Sequence, residues 1–220
     1  MADSSKYEFS ISAVTYGSKL EVIADFLTEF PDQAPKLKGS PTFPSDSYWF
    51  GLSDKFVQGR VPKAPTAPST VPDDMVSVVL EKYFDIDELL LAEITRTHSL
   101  SMAAEGIIGD LLERYIAFVL EPLGWVWCSG SVVRSVDFIF RRDSNPITYL
   151  ALQVKNRDNS ENSSSASVRD GTAIEKWFRS FSRSGATNWE AFPHENVPAV
   201  LSEEAFKIFA RAYLVSIKPT

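Results

Sequence analysis

Two apolar stretches separated by a turn cluster constrain this chain more than any other feature in it. Residues 132–140 and 148–155 read as strands, and Asp143-Ser144-Asn145-Pro146 between them supplies turn chemistry. Alternate residues of a strand share a face. Gln153 and Lys155 therefore point one way, while Leu150, Leu152 and Val154 point the other. Asp137, on the first strand, can lie opposite them. An acid, an amide oxygen and an ammonium on one sheet face are donors for a hard cation and a phosphate group.

A second carboxylate joins this set from a helix. Residues 101–120 read as helical, with Ile108, Leu112, Ile116 and Val119 at 3.6-residue spacing. Glu105 falls within that apolar stripe, whereas Asp110 and Arg114 fall on the opposite, solvated face. A buried carboxylate is costly unless a cation or hydrogen bonds compensate it, and a magnesium ion shared with Asp137 would do so. The alternative is that Glu105 sits near a helix N-terminus, where a carboxylate is favoured in any case.

The composition sets wide bounds. With 220 residues, 44% of them hydrophobic and 23% charged, the chain is sized for one globular domain or one with an appended lobe. The one cysteine, Cys128, excludes an intramolecular disulfide framework and fits a reducing cytoplasm. No signal-peptide pattern opens the sequence, and no apolar run approaches the ~18 residues a bilayer demands, so no membrane association is expected. A net charge of −7 argues on its face against nucleic acid. The charges are unevenly spread. Residues 1–130 hold 10 basic and 19 acidic side chains, whereas residues 131–190 hold 9 and 7. The neighbourhood of Asp137 and Lys155 is therefore permissive for a polyanion.

Along the rest of the chain, Leu20, Ile23, Phe26, Leu27 and Phe30 form a helical stripe ended by Pro31, and residues 31–47 read as irregular. The proline-stiffened residues 61–68 read either as a surface connection or as an arm laid over a partner. Helical patterns follow around Met75, Val78, Val79 and Tyr83, and again over residues 87–95. Residues 1–70 are thus expected to form a helical and irregular N-terminal region, part of the same domain or appended to it. Residues 71–220 are expected to form the core. Thr172-Ala173-Ile174-Glu175 reads as a capping box opening a helix through Trp177, Phe178 and Phe181, with Lys176, Arg179 and Arg183 on its other faces. A last helix is capped by Ser202 and carries Phe206, Ile208 and Phe209. Its apolar tail, residues 213–217, could add a strand.

Asp137 with Gln153-Val154-Lys155 is the working layout of many metal-dependent nucleases, and the assembly resembles the PD-(D/E)xK nuclease superfamily. More narrowly, Met102-Ala103-Ala104-Glu105, Gly109-Asp110-Leu111-Leu112-Glu113-Arg114-Tyr115, Gly124-Trp125-Val126-Trp127-Cys128, Val136-Asp137-Phe138-Ile139 and residues 152–165 are similar to the SinI-type restriction endonucleases. So are Arg169-Asp170-Gly171-Thr172, Lys176-Trp177-Phe178-Arg179 and Thr187-Asn188-Trp189. The similarity covers residues 70–192. It implies an α/β restriction-endonuclease-like core, a mixed sheet flanked by helices, with a mostly helical N-terminal region.

The resemblance makes Asp137 the first-strand metal ligand, Lys155 the catalytic lysine and Glu105 the helix carboxylate. Gln153 stands where the commonest pattern has Asp or Glu, so it brings an oxygen without a charge; Glu105 or, alternatively, Glu161 must then supply the second acid. The expected cofactor is Mg²⁺, held by Asp137, Glu105, the Val154 carbonyl and Gln153. The expected reaction is hydrolysis of double-stranded DNA at a short palindrome resembling GG(A/T)CC, in a bacterial cytoplasm. Residues 156–170 would read the DNA. Arg pairs bidentately with guanine, Asn with adenine, and Asp or Glu accepts from cytosine, so Arg157, Asp158, Asn159, Glu161, Asn162 and Ser163 are the candidate readers. Arg169, Lys176 and Arg179 are candidate DNA or phosphate contacts. A palindrome asks for two chains about a two-fold axis, hence a homodimer. Two other readings stand: a repair or structure-specific nuclease on the same core, and a catalytically silent DNA-binding module.

Overall fold

The computed structural model describes residues 10–69, 73–158, 174–193 and 201–219. Among them are five α-helices, α1 (Gly17–Glu29), α2 (Asp46–Arg60), α3 (Asp74–Phe84), α4 (Glu88–Leu120) and α5 (Glu203–Ser216). Four strands accompany them, β1 (Trp125–Trp127), β2 (Phe138–Arg142), β3 (Thr148–Arg157) and β4 (Ile174–Ser180), in one sheet of order β1-β2-β3-β4. The first three strands run antiparallel, and β4 lies parallel to β3. The mixed sheet expected from the sequence is the one observed.

Helices cover both faces of the sheet, which is why β3 is buried over most of its length. Leu150, Leu152 and Val154 join Trp125, Trp127, Phe138 and Trp177 in a core under α4 and α5. On the opposite face, Ala151, Val126, Ile139 and Cys128 pack against Leu20, Ile23 and Leu27 of α1 and Leu52 and Phe56 of α2. Each fully buried aliphatic or aromatic side chain of this kind contributes about 1.5–3 kcal/mol. Residues 62–69 follow α2 as an exposed extended segment. The Arg114 guanidinium holds its start, donating to the carbonyls of Gly59, Arg60 and Val61. Where α2 ends, Gly59 meets Gly130 so closely that a Cβ on Gly59 would lie 2.1 Å from the Gly130 nitrogen.

Several local expectations are corrected. Residues 174–180 form a strand, not a capped helix. Trp177 and Phe178 are strong strand formers, and β3, buried on both faces, needs a hydrogen-bonding neighbour on that edge. Trp177 is fixed in the core by its Nε1, which donates to the Asn188 carbonyl at 2.9 Å. The first site strand is shorter than expected and starts at Phe138, because Gly130, Ser131 and Ser135 adopt positive φ and break up the chain before it. Residues 88–95 and 101–120 belong to one 33-residue helix, capped by Asp87. The helix α2 occupies a stretch in which no element was expected. Residues 213–216 end α5 and add no strand. Ser202 does cap α5, its Oγ accepting from the Ala205 N–H.

Candidate active site

The pairing of β2 with β3 puts Phe138 beside Leu152, so Asp137 steps across from Gln153. The Asp137 N–H donates to the Leu152 carbonyl at 2.8 Å, and Asp137 Oδ2 accepts from the Val154 N–H at 2.7 Å. The Asp137 carbonyl in turn accepts from the Cys128 N–H at 2.8 Å. Asp137 is therefore clamped at the mouth of the β2–β3 pair. Burial pushes its carboxyl up to about 6, while the Val154 N–H and the nearby Lys155 ammonium pull the other way. Lys155, partly buried, shares that neighbourhood.

Gln153 is only 3% exposed, and its Oε1 has no hydrogen-bond partner. An amide oxygen buried without a donor is a costly arrangement. On the other side of Gln153, in register on β4, stands Lys176.

The helix carboxylate at this site is Glu113. Burial first, and then the Asp137 carboxylate, push Glu113 up to about 8; the Trp127 indole N–H, donating to Glu113 Oε2 at 3.0 Å, opposes the shift. Glu105, expected on the buried stripe, is exposed. The stripe that faces the core runs through Ala103, Ile107 and Leu111, and two residues from either Ala103 or Ile107 is about 200° around a helix. Glu113 lies eight residues, about 12 Å, further along the axis. There α4 is buried nearly all round by Leu111, Leu112, Arg114, Tyr115 and Ile116. Arg114 accordingly does not face solvent: it pairs with Asp110 at 2.5 Å and lies over the rings of Trp127 and Tyr213. The signal that marks Glu113 in the sequence is the charged run Asp110, Glu113, Arg114 inside an otherwise apolar helix.

Two half-buried carboxyls, both held above their ordinary ranges and Glu113 in part by the Asp137 charge, with an amide oxygen without a donor on the strand next to Asp137, fit a divalent hard cation. Among the described residues no group of three or more His, Cys, Asp or Glu side chains gathers, so the described part of the chain offers this pair as its anionic donors. Cys128 is no rival nucleophile: complete burial, then the Asp137 charge, hold its thiol well above the usual range.

The candidate DNA-contacting residues divide. Arg179 donates to Asn156 Oδ1 at 2.9 Å and to both carboxylate oxygens of Glu203 at 2.8 Å. Its guanidinium, stacked over Phe206, thus ties β4 to α5 and is not presented to a phosphate. Asp158 Oδ1 accepts from the Ser182 N–H at 2.8 Å, holding the end of β3 to the turn after β4. Arg157 is exposed at the end of β3. Asn159, Glu161, Asn162, Ser163 and Arg169 lie outside the described residues.

A mixed sheet between helical layers, with an acid at the start of one strand, a Gln-x-Lys on the next and a helix glutamate close to that acid, is a restriction-endonuclease-like core. The SinI restriction endonuclease family matches residues 6–216 of this chain. The chain is 47% identical over 203 residues to the type II restriction enzyme SinI of Salmonella infantis, covering 91% of this chain and 88% of that relative. It is equally identical, over the same shares, to the type II restriction enzyme Eco47I of Escherichia coli. The chain belongs to the SinI restriction endonuclease family and is a type II site-specific deoxyribonuclease. The match takes in the N-terminal region, well beyond residues 70–192, where the sequence reading saw the resemblance.

Proposed function

We propose that this enzyme hydrolyses double-stranded DNA with Mg²⁺ at a short palindrome resembling GG(A/T)CC, acting as a homodimer in the bacterial cytoplasm. The observation that carries the site assignment is the raised pair Glu113 and Asp137, together with the unpartnered amide oxygen of Gln153 on the strand next to Asp137. Asp137 and Glu113 would hold the cation, with Gln153 Oε1 and the Val154 carbonyl as neutral donors. Glu113 replaces Glu105 in that role, and Glu161 remains the alternative second acid. A bound divalent cation supplies Lewis-acid polarisation of a phosphate oxygen and a lowered pKa for a coordinated water.

The chain's own groups do the rest. Lys155 orients the attacking water and offsets negative charge growing on the phosphorane. The water oxygen bonds to phosphorus as the bond to O3′ breaks; O3′ leaves as a hydroxyl after taking a proton, and the phosphate stays on the 5′ end. Lys176, beside Gln153, contacts a backbone phosphate. Arg157 reads base edges together with Asn159, Glu161, Asn162, Ser163 and Arg169, each good bidentate pair giving ~1–3 kcal/mol of discrimination.

The test is incubation of a plasmid of known sequence with the full chain and Mg²⁺. Discrete bands whose ends carry 5′-phosphate and map to one palindrome support the proposal. A smear would favour a structure-specific or repair nuclease, and uncut plasmid a silent binding module.

A further inference from the structure

Pro62, Pro65 and Pro68 stiffen the exposed segment that leaves α2. One residue of it, Lys63, is fixed more firmly than a surface connection requires. The Tyr213 hydroxyl of α5 accepts from the Lys63 N–H at 2.7 Å and donates to the Lys63 carbonyl at 3.2 Å. Arg114 of α4 holds the carbonyls of Gly59, Arg60 and Val61 just upstream, and its guanidinium lies over the Tyr213 ring. Two other helices thus set the Lys63 backbone, while its side chain stays 56% exposed.

The side chain so placed reaches the active-site helix. Its ammonium pairs with Asp110 Oδ1 at 3.0 Å, about one turn before Glu113. Burial and the Asp137 charge push Glu113 up, and Lys63 is near enough to oppose them. Asp110 does not depend on this lysine. Its Oδ2 already receives the Arg114 Nε at 2.5 Å, in the more buried of its two ion pairs. The exposed pair is weak and readily exchanged for one with another anion, and Asp110 would remain compensated by Arg114.

We propose that Lys63 is a phosphate-binding residue of this enzyme, its ammonium leaving Asp110 for a backbone phosphate oxygen beside the cut when DNA binds. The assignment rests on the proposed cutting site at Asp137 and Glu113. A duplex brought to Asp110, Glu113 and Asp137 meets three acids, and cations must offset them. Arg114 is committed to Asp110 and to three carbonyls. Lys63 is exposed and exchangeable, and an ammonium with three rotatable donors suits a phosphate oxygen. Its backbone is already ordered, so the contact costs the freedom of one side chain and no folding of a loop.

Binding isotherms over a range of salt test this, taken with Mg²⁺ in the Lys155→Ala background so that the duplex stays whole. Lys63→Gln should bind cognate and random duplex alike more weakly, by roughly tenfold at about 0.1 M salt, and flatten the logarithmic salt slope by about 0.9. Lys63→Arg, which keeps charge and reach, should restore both. Tyr213→Phe keeps the ring over which Arg114 lies, and keeps the lysine's charge. It should weaken binding with the salt slope preserved, and wild-type binding there would overturn placement by the hydroxyl. A lysine that only pairs with Asp110 would give Lys63→Gln a lowered melting temperature with unchanged affinity and slope. That result, or a loss confined to the cognate duplex, would overturn the inference. The isotherms need no cleavage, so their failure is separate from that of the cutting site, which is read from plasmid left uncut by the wild type.

Discussion

Glu113 and Asp137 set up a conflict between burial and charge that protons relieve, and that the proposed cation would relieve as well. Both carboxyls have folded-state pKa values above their ordinary ones, Glu113 rising from 4.5 to about 8 and Asp137 from 3.8 to about 6. Groups raised in this way contribute stability that is full below the ordinary values and is lost as pH climbs through the folded ones. The melting temperature of metal-free protein should therefore fall as pH rises from about 5 to about 8. Mg²⁺ should restore more of it at the alkaline end, and saturation at a hundredfold over Kd is worth about 2.7 kcal/mol. Glu113→Gln should flatten the pH trend and remove most of the Mg²⁺ effect. Melting curves at several pH values, with and without Mg²⁺, check this; a Mg²⁺ shift that is larger at acid pH would contradict it. Trp127 positions Glu113 through its indole N–H. Trp127→Phe removes a hydrogen bond to the charged form, so Glu113 should hold its proton to higher pH. The pH–rate profile for cleavage should then move to the alkaline side; a lowered rate with an unmoved profile would mean that Trp127 only packs. At this scale the facing of Asp137 and Gln153 was legible in the sequence, because strand alternation has a period of two and one pairing register fixes it. Glu113 was not, because the position of a helix around its axis is set by what it packs on, and a wide apolar band allows several rotations.

Among the elements, β4 shows where local pattern misleads. Thr172-Ala173-Ile174-Glu175 has the spacing of a capping box, yet residues 174–180 pair in parallel with β3. The hydrogen-bonding demand of a strand buried on both faces outweighs a local helix signal worth about 1 kcal/mol. The consequence for function is concrete, because strand geometry separates Lys176 from Arg179. Lys176 shares a face with Ile174 and Phe178, whereas Arg179 turns to the other face and to Glu203. Arg179→Ala should therefore lower stability by about 2 kcal/mol through its lost charge-assisted bonds, with little change in the salt dependence of DNA binding. Lys176→Ala should weaken binding to all sequences alike and flatten that dependence. Denaturant titration and binding isotherms at several salt concentrations separate the two; a flattened salt slope in Arg179→Ala would reverse the assignment. The continuity of α4 was hidden for a related reason. Residues 96–100 lack a continuous apolar stripe and so look like a break, but they contain no proline or glycine to end a helix.

Over the whole molecule, the N-terminal helices form the outer layer on one face of the catalytic sheet. Glu121 receives Arg60 at 2.6 Å and Lys19 at 2.5 Å, so both N-terminal helices are tied to the end of α4. Burial of the Glu121 carboxyl opposes its ionisation, but those two cations outweigh burial and hold it below its ordinary range. None of this could be read along the chain, since each contact joins residues many tens of positions apart. The mixed α/β class could, through the resemblance of residues 70–192 to the SinI-type endonucleases; periodicity alone reads β4 as a helix and would leave the sheet one strand short. The metal-dependent cutting site proposed on Asp137, Glu113, Gln153 and Lys155 is tested most directly by one comparison. Plasmid cleavage with Mg²⁺ should be followed for the wild type, Asp137→Asn, Lys155→Ala, Glu113→Gln and Glu105→Gln, each with its melting curve. The first three variants should remain folded and lose cleavage by about 10²–10⁴-fold, while Glu105→Gln, altered at an exposed position, should cut like the wild type. Near wild-type turnover in Asp137→Asn, Lys155→Ala or Glu113→Gln, or loss of turnover in Glu105→Gln alone, would contradict the assignment.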